Sequence, residues 1–357
     1  ITDADACVDA VIARVGKQIV LALPLALGKP CHFVNALYRR AVADAGLQLH
    51  IVTALSLNRP KPGSDLERRF LEPFLERIFG DYPDLEYVSA LQSGKLPANI
   101  KVTEFFLSAG QFMNNPSQQQ NYVSSNYTHI ARDMMALGVN VCAQMISKSE
   151  EDNRTAYSLS SNPDLTIDIV AQVRAQQSQG VPVAIVGQVN NNLPFMYHDA
   201  MVAPSTFDLV LENPAYQHQL FAPPNAAIGT ADYMIGLYAS TLIRDGGTLQ
   251  IGIGSLGDAI AYVTSMRHRE NSVYRELIDS LGITDRFGSI IDQVGGTDVF
   301  DQGLYGSSEM FVGGFMELYK AGVLTREVYP NTVIQELLND GKIGSKVEPG
   351  VLEALLE

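Results

Sequence analysis

Cysteine is scarce in this sequence of 357 residues. It occurs at Cys7, Cys31 and Cys142, and no two of these have the CxxC spacing of a zinc or redox site. The pattern is typical of a reducing compartment and gives no support for a disulfide framework. We therefore expect no disulfides and no cysteine-based metal site.

Basic residues are in the minority. Lysine and arginine total 25 against 39 acidic residues, which gives a formal net charge of −14. This balance does not favour sequence-independent contact with nucleic acid or with an anionic membrane. We therefore expect neither as a partner. A small anionic ligand stays open, because a local cluster of donors can oppose the global charge.

Long apolar runs are also missing. The longest one, residues 19–27, contains Pro24 and is far too short to cross a bilayer. It predicts a buried strand. No signal peptide precedes it, so we expect a cytoplasmic protein.

The signatures of several enzyme classes are absent. Neither GxSxG nor a P-loop occurs, so serine hydrolases and kinases lack their usual loops. The six histidines show no i,i+4 pair and no HExxH spacing, and we expect no metal site. Five basic residues of the first sixty-one either contact the phosphates of a ligand or form a solvated face: Lys29, Arg39, Arg40, Arg59 and Lys61.

What the sequence does contain is an alternation of apolar runs with helical stretches that end near glycine. Strands are predicted at residues 18–27, 47–55, 139–146 and 181–189, with helices at 35–45, 64–79, 127–137 and 165–179. Such alternation predicts an α/β fold with parallel sheets and crossover helices. A proline-containing stretch, residues 213–225, predicts a boundary between two domains, residues 1–215 and 216–357.

A glycine-rich loop follows a strand predicted at residues 248–253. Gly252, Gly254 and Gly257 match GxGxxG, and a helix is predicted at residues 258–264. A dinucleotide site also needs a second strand about 20 residues on, ending in an acidic residue. Residues 267–276 are polar and helical instead, which argues against an NAD-dependent oxidoreductase. The loop is either a structural turn or a set of N–H donors for a reacting or anionic ligand.

A second glycine-rich passage surrounds Glu309. Ser307 or Ser308 is predicted to cap a helix that runs to residue 320 and stops at Gly322. A carboxylate in a first helical turn stays ionised, and on position alone Glu309 is a capping-box residue. Two glycines inside this helix, residues 313 and 314, each cost about 1 kcal/mol against alanine. That cost suggests that something approaches the backbone closely there.

Three segments of the chain resemble one family. Residues 248–259 are similar to the "TLQxGIGxxPxA" segment of the acetyl-CoA hydrolase and 4-hydroxybutyrate CoA-transferase group, residues 306–311 to its "SEM/TEM" segment, and residues 189–194 to its "VNxxMP" segment. The resemblance runs from about residue 90 to about residue 330. Gly257 stands where the family usually has proline, and family members continue further after the glutamate. The resemblance implies two parallel-sheet α/β domains of the NagB/RpiA/CoA-transferase-like type, the second of them incomplete.

The resemblance also implies a function. It predicts an acyl-CoA:carboxylate CoA-transferase in which Glu309 is the nucleophile and forms a glutamyl-CoA thioester. Coenzyme A is then a substrate, no cofactor is permanently bound, small carboxylates (acetate among them) are the other substrates, and a homodimer is expected. The oxyanion and substrate loop comprises Gly252, Gly254, Ser255, Leu256 and Gly257; further substrate contacts are assigned to Asn190, Asn192 and Ser308.

Three alternatives to transfer stay open. An acyl-CoA hydrolase differs only in letting water reach the covalent intermediate. A non-catalytic acyl-CoA-binding domain would bind coenzyme A without forming an adduct. An NAD-dependent oxidoreductase rests on GxGxxG alone.

Overall fold

The computed structural model describes residues 1–151, 154–161, 163, 165–221, 226–308 and 310–356. The chain divides into two compact units, Ile1–Pro223 (unit 1) and Pro224–Glu357 (unit 2).

Unit 1 is built around an eight-stranded sheet. Its strands are β1 (Gln18–Leu25), β2 (Gln48–Ala54), β3 (Ile100–Glu104), β4 (Val141–Glu151), β5 (Arg154–Ser158), β6 (Ala184–Val189), β7 (Met201–Val202) and β8 (Leu209–Leu211). Its α-helices are α1 (Ala4–Val15), α2 (Cys31–Ala43), α3 (Asp65–Phe79), α4 (Glu86–Gln92), α5 (Pro116–Gln120), α6 (Ile130–Ala136) and α7 (Thr166–Ser178).

The strands of the sheet are mostly parallel. Along the parallel part the order is β3-β2-β1-β4-β6-β8, and β5 and β7 extend the far end of β4 in antiparallel pairing. The predicted α/β class is therefore confirmed. Apolar side chains of α1, α2 and α4 pack on the strands and form the core of the unit, with Phe33, Leu37 and Tyr87 fully buried.

Unit 2 combines a two-stranded parallel sheet with helices. Its strands are β9 (Thr248–Gln250) and β10 (Tyr305–Ser307). Its helices are α8 (Thr230–Thr241), α9 (Ser255–Arg269), α10 (Asn271–Ser280), α11 (Ile283–Val294), α12 (Gly313–Ala321), α13 (Thr332–Asn339) and α14 (Pro349–Ala354). Residues 267–276 are helical in α9 and α10, which confirms that no dinucleotide-type second strand follows the glycine loop.

Three predicted helix termini are confirmed by their cap geometry. Ser64 accepts a hydrogen bond from the backbone of Glu67 at the start of α3, and Gly80 ends that helix with φ +52°. Gly322 ends α12 in the left-handed conformation with φ +79°. These local signals depend on side-chain caps and on glycine at positive φ, so they can be found from sequence alone.

Candidate active site

The two glycine-rich motifs of unit 2 leave its sheet at the same edge. Strands β9 and β10 run parallel, with Thr248 opposite Tyr305 and Gln250 opposite Ser307. The carboxyl ends of parallel strands lie at one edge, and that edge is where open α/β sheets bind ligands. The loop after β9 and the segment after β10 therefore start side by side.

A hydrogen bond joins these two segments. The Oγ atom of Ser308 donates to the carbonyl oxygens of Ile251, at 3.1 Å, and Met310, at 2.5 Å. A hydroxyl has one proton, so it shares that proton between the two oxygens or alternates between them. Ser308, predicted as a substrate contact, thus has its donor engaged with the backbone and fixes the segment after β10 against the glycine loop.

Glu309, the predicted nucleophile, lies outside the described residues, and its role stays a prediction. The prediction that a helix starts at Ser307 or Ser308 is wrong, because α12 begins at Gly313. Ser307 instead belongs to β10. A Cβ on Gly306 would stand 2.7 Å from the ring of Phe315, so packing and the strand ladder hold residues 305–307 extended.

The glycine pair that opens α12 has two different environments. A Cβ on Gly314 would lie 3.0 Å from Cβ of Ala261 and 3.0 Å from Cδ1 of Ile251. Gly314 therefore allows α12 to pack closely on α9 and on the end of β9. A Cβ on Gly313 would meet nothing within 4 Å in the part of the chain that the structure describes. The close approach expected from the sequence is thus a contact between helices at residue 314.

The glycine loop has the predicted length of four residues but lies three residues earlier in the chain, at 251–254 and not at 254–257. The strand ends at Gln250 and α9 begins at Ser255, so Ser255, Leu256 and Gly257 form the first turn of the helix. Gly254 is the N-cap, with φ +128° and ψ 171°, a backbone conformation that essentially requires glycine. It has no side chain to cap the helix, so among the described residues the first N–H groups of α9 have neither a side-chain cap nor an intrahelical partner.

The backbone of this loop is open to solvent. A Cβ on Gly252 or Gly254 would meet no atom of the described residues within 4 Å, and the side chain of Ile253 between them is 61% exposed. The opposite holds at Gly257, where a Cβ would stand 2.4 Å from the carbonyl oxygen of Gly252. The carbonyl of Gly252 therefore packs on the Cα of Gly257. Proline, which the resembled family usually has there, would place its own Cβ in the same position.

A carboxylate braces the amino ends of the two strands. Asp245 accepts backbone hydrogen bonds from Asp301, Gln302 and Gly303, at 2.9–3.2 Å, and from Gly246 at 3.0 Å. Burial by itself raises the pKa of Asp245, but these N–H donors together outweigh burial and hold its pKa below the usual range. This role of Asp245 is not among the sequence predictions; an aspartate before a Gly-Gly turn is the signal that indicates it.

A cavity of about 440 Å³ runs along one face of α9, from Asp258 in its first turn to its last residue, Arg269, and lies beside the first turns of α12. Asp258, Tyr262 and Ser265 of α9 line it together with Gly314 and Glu317 of α12. The Oγ atom of Ser265 is buried and has no hydrogen-bond partner among the described residues. Volumes of 300–1,000 Å³ are typical of small-molecule sites, so the cavity is large enough for part of a ligand.

The predicted contacts Asn190 and Asn192 lie in unit 1, just after β6. The side chain of Asn190 is fully buried; its Nδ2 donates to the carbonyl of His218 at 3.0 Å. Its Oδ1 accepts from the backbone N and from Nδ2 of Asn192, both at 3.1 Å. Asn190 therefore holds the turn after β6, whereas Asn192 is exposed.

The basic residues early in the chain do not share one environment. Lys29 is completely buried. Arg39 and Arg40 are half-exposed and paired with Glu86 and Asp9. The interpretation of these residues as a single solvated face or phosphate site is therefore wrong for Lys29, which the fold encloses.

Comparison with known proteins gives one curated relative and a set of solved structures. The 4-hydroxybutyrate coenzyme A transferase of Clostridium kluyveri is 28% identical over 159 residues, which is 44% of this chain and 27% of the relative. The predicted resemblance to 4-hydroxybutyrate CoA-transferases is confirmed by this match. No family model matches the chain.

Among solved structures, RipA from Yersinia pestis has a similar fold. It superposes with a TM-score of 0.58 at 16% identity, over 91% of this chain and 59% of RipA. A 4-hydroxybutyrate CoA-transferase from Porphyromonas gingivalis aligns at a TM-score of 0.47 and 16% identity, over 90% of this chain and 57% of that one. The chain thus spans about three fifths of the structures that it resembles and about a quarter of the curated relative.

The described residues contain neither a candidate membrane span nor a candidate metal cluster. None of the helices there is both long and apolar enough to span a membrane. No group of three or more His, Cys, Asp or Glu side chains in that part of the chain is arranged to hold a metal ion.

Proposed function

We propose that this protein is an acyl-CoA:carboxylate CoA-transferase that works through Glu309 and the glycine loop of unit 2. The observation that carries the proposal is the parallel pairing of β9 and β10, with the Ser308–Ile251 hydrogen bond at its end. It brings the two motifs of the resembled family to one edge of a sheet. The matched segment of the C. kluyveri enzyme supports the same activity.

Transfer of coenzyme A between two acids suits a carboxylate nucleophile. The carboxylate of Glu309 attacks the thioester carbonyl and expels the CoA thiolate, which leaves a mixed anhydride of the glutamyl and acyl groups. The thiolate then attacks the glutamyl carbonyl and releases the first carboxylate. The resulting glutamyl-CoA thioester keeps the energy of the original bond, so a second carboxylate can reverse the steps and leave as the new acyl-CoA.

Each addition places negative charge on a carbonyl oxygen. We assign to that oxygen the N–H groups of Ser255 and Leu256 in the first turn of α9, which have no side-chain cap among the described residues. Gly252 and Gly254 leave the approach to them open. Loss of one donor of this kind costs about 3–4 kcal/mol in the barrier. The neighbouring cavity of about 440 Å³ has room for part of the acyl-CoA.

Other parts of the proposal extend the resemblance. Residues 1–215 and 216–357 are assigned as the two CoA-transferase domains, Asn190 and Asn192 as substrate-side residues of the first, and the active form as a homodimer. Coenzyme A and small carboxylates are the substrates, with no permanently bound cofactor. Hydrolysis is the competing outcome wherever water reaches the covalent intermediate.

Borohydride trapping tests the covalent step. The protein is incubated with acetyl-CoA or butyryl-CoA, treated with borohydride, and its intact mass is measured beside Glu309→Ala and Glu336→Ala; Glu336 is an exposed glutamate of α13. Reduction of a glutamyl thioester to the alcohol removes about 14 Da. We expect this loss in the wild type and in Glu336→Ala, and none in Glu309→Ala. An equal loss in all three proteins would place the thioester on another residue.

A further inference from the structure

Two turns at the carboxyl edge of the unit 1 sheet contain non-glycine residues with positive φ. They are Ala26, with φ +47°, and Leu55, with φ +46°. Ala26 directly follows β1 and Leu55 directly follows β2; these neighbouring strands run parallel up to the pair Leu25 and Ala54. A left-handed backbone crowds the Cβ of an L-residue, so the surrounding structure has to hold both turns.

The buried side chain of Lys29 contacts both turns. It is 0% exposed, and its Nζ donates to the carbonyl oxygens of Ala26 at 3.3 Å, Ala54 at 2.5 Å and Leu55 at 3.2 Å. An ammonium has three donors and is costly to bury unless acceptors surround it. One side chain thus ties together the carbonyls of the two strained residues.

Glu104 supports the second turn from the next strand. It is the last residue of β3 and is 0% exposed, and its Oε1 accepts a hydrogen bond from Oγ of Ser56, the residue after Leu55. The same Oγ lies 2.7 Å from the hydroxyl oxygen of Tyr87. Burial raises the pKa of Glu104, and the Ser56 hydrogen bond and the charge of Lys29 oppose that rise. Lys29 and Glu104 therefore hold the turn after β2 from two sides.

The position of these turns in the sheet gives them functional meaning. In the strand order β3-β2-β1-β4-β6-β8, β1 lies between β2, which leads to one edge of the sheet, and β4, which leads to the other. Ligands of open α/β sheets bind outside the carboxyl ends of the strands at such a switch point. The turn that contains Ala26 leaves β1 at this point, and the turn that contains Leu55 adjoins it.

We propose that Lys29 is a positioning residue that holds the turns after β1 and β2 in their left-handed conformation and so shapes a substrate-binding surface of unit 1. The first half of this proposal concerns the fold alone. The second half, which concerns substrate, rests on the proposed CoA-transferase function.

The test changes Ala26 to glycine, so that the first turn no longer needs Lys29 to hold its left-handed backbone. Glycine adopts positive φ without strain, so Ala26→Gly should keep the first turn in place when Lys29 is lost. The matched control is Ala22→Gly, a buried alanine within β1 whose φ is not positive. Both changes are made in the wild type and in Lys29→Met/Glu104→Gln, which removes both buried charges together.

In the wild type we expect Ala26→Gly to leave the melting temperature unchanged or raised and Ala22→Gly to lower it. In the background without the two charges we expect a lowered melting temperature and a KM for acyl-CoA raised about tenfold, with kcat changed less than about threefold. Ala26→Gly should recover about half of each loss, and Ala22→Gly none. A role of Lys29 limited to filling the core predicts no such selective recovery.

Each result decides one half of the proposal. Bracing is overturned if Ala26→Gly destabilises the wild type as much as Ala22→Gly does, a comparison that needs only two folded single variants. Recovery of melting temperature with no effect of Lys29 on KM overturns the substrate-shaping half. A wild type that neither binds nor transfers coenzyme A refutes the proposed function, and the melting temperatures then decide the bracing by themselves.

Discussion

Gly257→Ala is the change to which the glycine loop should be most sensitive. The added Cβ would stand 2.4 Å from the carbonyl oxygen of Gly252. That oxygen would have to move by about 1 Å to reach an ordinary contact. Because both glycines belong to the segment assigned to hold the oxyanion, the shift would displace the loop without removing any functional group.

The effects on stability and on activity should separate. Overpacking of this size costs about 1–3 kcal/mol, whereas alanine at a helical position gains about 1 kcal/mol over glycine. The net loss is about 0–2 kcal/mol, so the variant should fold. A misplacement of about 1 Å can lower the rate about 100-fold. We therefore expect a melting temperature within about 6 °C of the wild type and kcat/KM for acyl-CoA reduced about 100-fold.

Gly288→Ala is the matched control. This residue lies within α11, a Cβ there would meet nothing within 4 Å, and its φ is not positive. The Gly288→Ala variant should be about 1 kcal/mol more stable than the wild type and fully active. Gly257→Pro, which restores the usual residue of the resembled family, should be impaired like Gly257→Ala. Full activity in both Gly257 variants would refute the assignment of this loop to the oxyanion.

Three further predictions concern the packing, the brace and the connection around this loop. Gly314→Val should destabilise unit 2 by about 1–3 kcal/mol, because the valine side chain would press on Ala261 of α9, where a Cβ already makes a 3.0 Å contact. Chemical denaturation measures this loss. An unchanged denaturation midpoint would contradict the close packing of α12 on α9. Asp245 has a lowered folded pKa, so it contributes stability that is present above its unfolded pKa and lost as pH falls through the folded value. Asp245→Asn should therefore flatten the acid limb of a plot of melting temperature against pH, and an unaltered limb would argue against this role. Ser308→Ala should destabilise the protein by about 1 kcal/mol, because the hydrogen bond from Ser308 to Ile251 is lost. It should also lower kcat more than it raises KM. A variant with wild-type kcat would show that this hydrogen bond does not position the active site.

The parallel α/β architecture of unit 1 could be predicted because its signals are local. Apolar runs, helical spacing and caps at helix ends all lie within a few residues of one another, as at Ser64 and Gly80, which bound α3. The same local signals predict the wrong structure where a contact with a distant part of the chain determines the backbone conformation. Residues 305–307 carry helix-capping serine, yet pairing with β9 and the ring of Phe315 against Gly306 hold them in a strand.

The buried polar groups could not be predicted from the sequence. Nothing within a few residues of Lys29 indicates that its Nζ reaches the carbonyls after two separate strands, and lysine is ordinarily a surface residue. The resemblance assigns Asn190 to substrate contact. Nothing in the sequence indicates that its side chain forms hydrogen bonds with His218 and Asn192. The pairing of β9 with β10, which joins the two motifs, spans about 57 residues of chain and depends on the tertiary fold.

Transfer of coenzyme A through Glu309 can be measured by following both products of one reaction. The protein is mixed with acetyl-CoA and 4-hydroxybutyrate, and new acyl-CoA and free CoA thiol are measured together. The account predicts that new acyl-CoA forms with little free thiol, and that Glu309→Ala forms none. Free thiol released in step with acetyl-CoA consumption, or full transfer by Glu309→Ala, would contradict it.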